Sequence, residues 1–77
     1  MSASPLAPGS TIGILGGGQL GRMLAMAAAR LGYRTAIFDP DPNAPAAQVA
    51  NAHFANAWDD GEALKAFAEA CDVITYE

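Results

Sequence analysis

Three consecutive glycines, Gly16-Gly17-Gly18, stand between a short apolar run, Thr11-Ile12-Gly13-Ile14-Leu15, and a helix-favouring stretch that begins Gln19-Leu20-Gly21-Arg22-Met23. No other part of the chain limits the fold so strongly. Glycine turns sharply, and without a Cβ it lets a ligand's phosphate come close to the backbone. Gly16, Gly18 and Gly21 have the G-x-G-x-x-G spacing of a strand–turn–helix phosphate loop. The unpaired N–H groups of the helix's first turn and its positive dipole end then receive the anion. The spacing specifies a phosphate without specifying its carrier.

The remaining elements follow in order. Ile12, Ile14 and Leu15 make a near-continuous apolar strand, as expected where both faces of a sheet are covered. Leu20, Met23, Leu24, Ala27, Ala28 and Leu31 recur at helical spacing and predict one buried stripe over residues 19–31, the methionines filling core. Gly32 is placed to stop that helix. Residues 33–38 predict a second strand, ended by Asp39-Pro40-Asp41-Pro42-Asn43. Residues 45–50 predict a short helix with proline in its first turn, and His53-Phe54-Ala55 a brief third strand. Asp59 and Glu62 have capping-box spacing ahead of a helix whose apolar face is Leu64, Phe67, Ala68 and Cys71. Residues 72–77 close the chain as a fourth strand. The order β-α-β-(α)-β-α-β predicts an α/β fold, a doubly wound, Rossmann-like parallel sheet of about four strands with right-handed crossovers.

With 77 residues, the chain makes one small domain at most, of a size that buries only about 60% of its unfolded surface. Three helices cover four strands thinly, and the terminal strand has nothing after it. The architecture points to a domain over 11–77 that is incomplete at its C-terminal end. Residues 1–10, with Pro5, Pro8 and Gly9 and no basic or apolar signal region, predict a disordered arm. Four basic residues against eight acidic ones argue against nucleic acid or an anionic membrane as partner. No apolar run reaches the roughly 18 residues of a membrane span. The single cysteine, Cys71, suits a reducing cytoplasm and is expected as a small buried apolar side chain. His53 has no second His or Cys at metal spacing and is expected at the surface or a strand edge, with Trp58 in a packing role.

Two readings of Asp39 stand. An acid closing the second strand about 20 residues beyond the glycines is where a dinucleotide fold binds the adenosine ribose, which would make this the NAD-binding domain of an oxidoreductase. The same residue before Pro40 also starts a turn. Arg22, on an exposed helix face, is either solvated or a phosphate partner, the solvated reading being favoured.

Three stretches in register resemble the N5-carboxyaminoimidazole ribonucleotide synthetase family, ATP-grasp carboxylases of de novo purine synthesis. They are Gly16-Gly17-Gly18-Gln19-Leu20-Gly21-Arg22-Met23-Leu24, Asp39-Pro40-Asp41-Pro42-Asn43-Ala44-Pro45-Ala46 and Asp72-Val73-Ile74-Thr75-Tyr76-Glu77. Gln19, Arg22 and the Tyr76-Glu77 ending separate this pattern from the similar formate-dependent transformylase loop, while Asn51 stands where an acid is common. The resemblance implies a pre-ATP-grasp domain in a ligase that forms carboxyphosphate from ATP and bicarbonate. The carboxyl group then passes to the exocyclic amine of 5-aminoimidazole ribonucleotide, leaving ADP and phosphate. ATP and Mg²⁺ would be held by chain beyond residue 77, so this segment carries no catalytic residue and no metal ligand and is inactive alone. It also implies a homodimer. Substrate contacts are implied at Gly17, Gly18, Gln19 and Leu20, whose backbone amides surround the 5′-phosphate, and at Glu77, near the ribose or the aminoimidazole. The Gln19 amide side chain either adds a hydrogen bond or faces solvent.

Overall fold

The computed structural model describes residues 7–76. Strand β1 (Thr11–Leu15) leads through the glycine loop into helix α1 (Gln19–Arg30), which returns to β2 (Arg34–Phe38). A 3-10 turn (Pro45–Gln48) precedes β3 (Ala52–Phe54); helix α2 (Gly61–Ala70) and β4 (Val73–Tyr76) follow. The sheet is fully parallel, with order β3-β2-β1-β4. Because the chain moves outward from β1 to β3 and then crosses to the other side for β4, the edge of β1 beside β4 is the topological switch point.

Alternation along the strands gives each face its own core. Ile14 and Ile37, opposite one another in register, pack with Ala25 of α1 and Ala46 of the 3-10 turn. On the other face Ala36 and Phe38 meet Phe67 of α2, with Phe54 against it. Phe67 sits edge-on to Phe38 and Phe54, with ring centroids 5.5 and 5.4 Å apart, and Trp58 lies over Phe38 at 5.6 Å while remaining half exposed. With helices on both faces, the sheet is doubly wound. Asp72 ties its start together: the Thr11 N–H donates to the Asp72 carboxylate at 2.8 Å, and the Asp72 N–H donates to the Thr11 carbonyl at 2.9 Å.

Several details differ from the sequence expectation. The buried row of α1 is Gly21, Ala25 and Ala28, whereas Leu20, Met23, Leu24 and Leu31 are exposed by 53, 65, 38 and 71%. The isoleucines of β1 and β2 already fill the space above the sheet, so the helix approaches through its smallest side chains. The two methionines at its outer side, Met23 and Met26, line a groove with Ala27 and Arg30 instead of filling core. The cap of α2 is Asp60, one residue later than expected, its Oδ1 accepting from the Ala63 N–H at 3.1 Å. Residues 45–48 form a 3-10 turn, and β3 begins one residue early. The end of the expected arm joins the fold: the Gly9 N–H donates to the Gly32 carbonyl, and the Ser10 carbonyl accepts from the Arg34 N–H, both at 2.9 Å. Strand β4, at the sheet edge, is exposed along its length.

Candidate functional site

The carboxyl ends of β1 and β2 and the first turn of α1 meet at one edge of the sheet, where ligands of open parallel sheets bind. The loop between β1 and α1 is built residue by residue. Gly16 takes φ 108°, a left-handed conformation that only glycine adopts freely, and its N–H continues the ladder to the Phe38 carbonyl at 2.9 Å. Gly17 lies against the start of the 39–48 connection so closely that a Cβ there would stand 2.8 Å from Ala44 Cβ and 3.0 Å from Ile37 Cγ2. Gly18 is extended (φ −72°, ψ −163°) and caps α1, its carbonyl accepting from the Arg22 N–H at 2.9 Å.

Both backbone groups of Gly17 are engaged. Its N–H donates to Asp39 Oδ2 at 2.8 Å, and its carbonyl accepts from the Ala46 N–H at 2.8 Å. The second Asp39 oxygen accepts from the Asp41 N–H at 2.9 Å, and Asp41 in turn accepts from the Asn43 N–H at 2.9 Å. Two successive side-chain turns therefore run through Asp39-Pro40-Asp41-Pro42-Asn43. His53, on edge strand β3, adds a hydrogen bond from Nε2 to the Asp39 carbonyl at 3.0 Å. Of the two readings of Asp39, the turn-starting one holds: its carboxylate accepts from two amides of its own chain, one on each oxygen.

What remains open is the start of α1. The first-turn amides of Gln19 and Leu20 have no carbonyl one helical turn behind them. No side chain caps this end, and no acid lies in its first turn, so the positive dipole end is uncompensated. Helix α2 has both compensations, Asp60 and Glu62. Gln19 and Leu20 are exposed at this mouth. Arg22, half-buried one turn on, is fixed to the Gln48 side-chain oxygen through Nη1, a partner absent from the solvated reading. Glu77 lies outside the described residues.

The structure thus brings Gly17, Gly18, Gln19 and Leu20 together at one edge, with Gly17 turned to structural use. Sequence reasoning missed the clamp made by Asp39 and Ala46. Its only trace was the small residues Ala44 and Ala46, buried at 1 and 0% exposure, which allow the connection to close on the loop. Cys71 is half-buried on the opposite face of the sheet, and burial, with the Asp72 carboxylate second, pushes its thiol up. Among the described residues no group of His, Cys, Asp or Glu could hold a metal ion, and no helix is long and apolar enough to cross a membrane.

The family described as "Ribonucleotide synthetase preATP-grasp domain" matches residues 9–77. The N5-carboxyaminoimidazole ribonucleotide synthase of Brucella melitensis is 64% identical over the whole chain, which spans 21% of that relative. The Bacillus subtilis protein of the same name is 46% identical over the whole chain, which spans 20% of it. Among solved structures, an ADP complex of N5-carboxyaminoimidazole ribonucleotide synthetase superposes with a TM-score of 0.93 at 50% identity, covering 99% of this chain and 20% of that one. The chain therefore spans about a fifth of the length of the relatives it matches.

Proposed function

Because the chain belongs to the ribonucleotide synthetase preATP-grasp family, we propose that it is the N-terminal, substrate-binding part of an N5-carboxyaminoimidazole ribonucleotide synthetase. The full-length ligase converts 5-aminoimidazole ribonucleotide, bicarbonate and ATP to N5-carboxyaminoimidazole ribonucleotide, ADP and phosphate, a cytoplasmic step of purine synthesis carried out by a homodimer. The carrying observation is the uncapped start of α1 at the carboxyl edge of a parallel sheet, in a chain with relatives of that name.

In this reading the amides of Gly18, Gln19 and Leu20 receive the 5′-phosphate, and Gly17 shapes the loop beneath it. A dianionic phosphate suits the uncompensated dipole end of α1. Glu77, the next residue in sequence after β4, is assigned to the ribose or the aminoimidazole. ATP and Mg²⁺ belong to chain outside this segment, which is inactive alone.

The test is ADP release by the full-length protein. Release that requires 5-aminoimidazole ribonucleotide and bicarbonate together supports the reading. ADP release indifferent to the ribonucleotide, or tight binding of NAD with none of the ribonucleotide, overturns it.

A further inference from the structure

The phosphate-loop reading leaves Asp39 without a ligand, yet its carboxylate is the most heavily used side chain at the site. One oxygen holds Gly17 and the other holds Asp41, so a single side chain fixes the position of the glycine loop relative to the 39–48 connection. The Gly17 carbonyl is held by the Ala46 N–H, and a side chain at this position would run into Ala44 and Ile37. Gly18, the next residue, caps α1, and its amide is the first of those assigned to the phosphate above. The Gly17 carbonyl and the Gly18 N–H share one rigid peptide plane, so a displacement of Gly17 is carried straight to the Gly18 amide.

We infer that Asp39 is a positioning residue for substrate phosphate, holding Gly17 so that the Gly18, Gln19 and Leu20 amides converge on one anion. The inference rests on the function proposed above. A carboxylate at this place in a dinucleotide fold points outward to a sugar; here it points inward to the loop that would hold the phosphate. The clamp also keeps the negative charge of Asp39 balanced by two N–H donors, away from the incoming dianion. Asp39→Asn retains the shape and one acceptor oxygen. It must set an NH₂ against one of the two backbone N–H groups, so one of the two bonds is lost.

The experiment uses the full-length enzyme. Asp39→Asn is expected to raise KM for 5-aminoimidazole ribonucleotide, and Ki for ribose 5-phosphate as competitor, by about tenfold, the scale of one lost hydrogen bond to a charged group. KM for ATP should stay within about twofold, and the Ki of the unphosphorylated aminoimidazole nucleoside should not change, because neither uses this loop. Equal losses for ATP and ribonucleotide, or an unchanged Ki for ribose 5-phosphate, overturn the inference. A measurement on the unmutated enzyme covers the case in which the variant does not fold. With ¹⁵N-glycine labelling, ribose 5-phosphate should move the Gly18 amide resonance and leave Gly17 in place on Asp39. A Gly17 shift as large as that of Gly18 overturns the clamp. An unmutated enzyme that ignores 5-aminoimidazole ribonucleotide refutes the functional reading and this inference with it. One that uses the ribonucleotide but fails these tests refutes the inference alone.

Discussion

Gly13, in the middle of β1, faces α2, and an ideal Cβ added there would lie 2.5 Å from Cys71 Sγ, 2.9 Å from Phe67 Cζ and 3.2 Å from Cys71 Cβ. Its φ is not positive, so alanine meets no backbone strain, and the whole penalty is packing. Overpacking of a filled core costs about 1–3 kcal/mol. Stiffening the unfolded chain returns roughly 0.4–1 kcal/mol. Gly13→Ala should therefore destabilise by about 1–2 kcal/mol. Cys71→Ala alone removes one half-buried atom and should cost on the order of 1 kcal/mol. Together the two changes remove the 2.5 Å clash and leave only the approaches to Phe67 and to Cβ of residue 71. The pair should couple favourably by about 0.5–2 kcal/mol, so that Cys71→Ala harms the parent yet is neutral or helpful beside Gly13→Ala.

Urea unfolding of the four chains followed by far-UV circular dichroism reads this cycle. At a slope of roughly 1–2 kcal/mol per molar, a loss of about 2 kcal/mol moves the midpoint by about 1–2 M. Additivity within about 0.3 kcal/mol would refute the reasoning, since residues that share no contact behave that way. A neutral Gly13→Ala would do the same, because it would mean that α2 stands off from β1 by more than the structure has it.

Asp60→Ala should cost about 1 kcal/mol in the same assay, the worth of an N-cap, while Asp59→Ala stays within about 0.5 kcal/mol; the reverse order would return the cap to Asp59. Asn51 accepts from the N–H of buried Thr35 at 2.9 Å, so Asn51→Ala should cost about 1–3 kcal/mol by orphaning that group. Asn51→Asp keeps the acceptor and should be far milder, and equal losses would show that the bond carries no weight. The raised pKa of Cys71 means that the folded state keeps the thiol proton to higher pH than the unfolded one. The stability this contributes is intact below the unfolded value of about 8.5 and declines as pH rises from there toward the folded pKa. Alkylation by iodoacetamide at pH 8–9.5 should accordingly be slower in the folded chain than in urea, and equal rates would contradict the assignment.

The order of elements was legible because hydrophobic period, Gly32, the Asp-Pro-Asp-Pro turn and the glycine run punctuate the chain from β1 to the 3-10 turn, and the Asp-Asp pair before α2 marks the start of the second helix. The face of α1 was not. Nearly every position from Leu20 to Leu31 is apolar or small, so periodicity fits several stripes equally well. The choice is made by side-chain volume, since only the row Gly21-Ala25-Ala28 is thin enough to seat the helix on Ile14 and Ile37. The cap of α2 was missed by one residue for a related reason. Asp59 and Asp60 are chemically identical, and only the helix start at Gly61 decides which carboxylate faces the free N–H groups.

Asp39 shows the same limit at the site itself. The distance in sequence from the glycines to an acid after β2 is the same whether the carboxylate turns out toward a sugar or in toward the loop. Pro40 bears on that choice by local chemistry. It has no N–H, so the nearest amide downstream is that of Asp41, and closing the turn on it commits one Asp39 oxygen. The other oxygen then meets Gly17, which has no side chain to keep it away. A ribose diol would have to share this carboxylate with two backbone donors, using the lone pairs that they leave. A single phosphate at the start of α1 asks for no such sharing, because the amides there have no helical partner. The same glycine spacing thus precedes acids that are put to different use, and in this chain the acid beyond β2 is committed to the glycine loop itself.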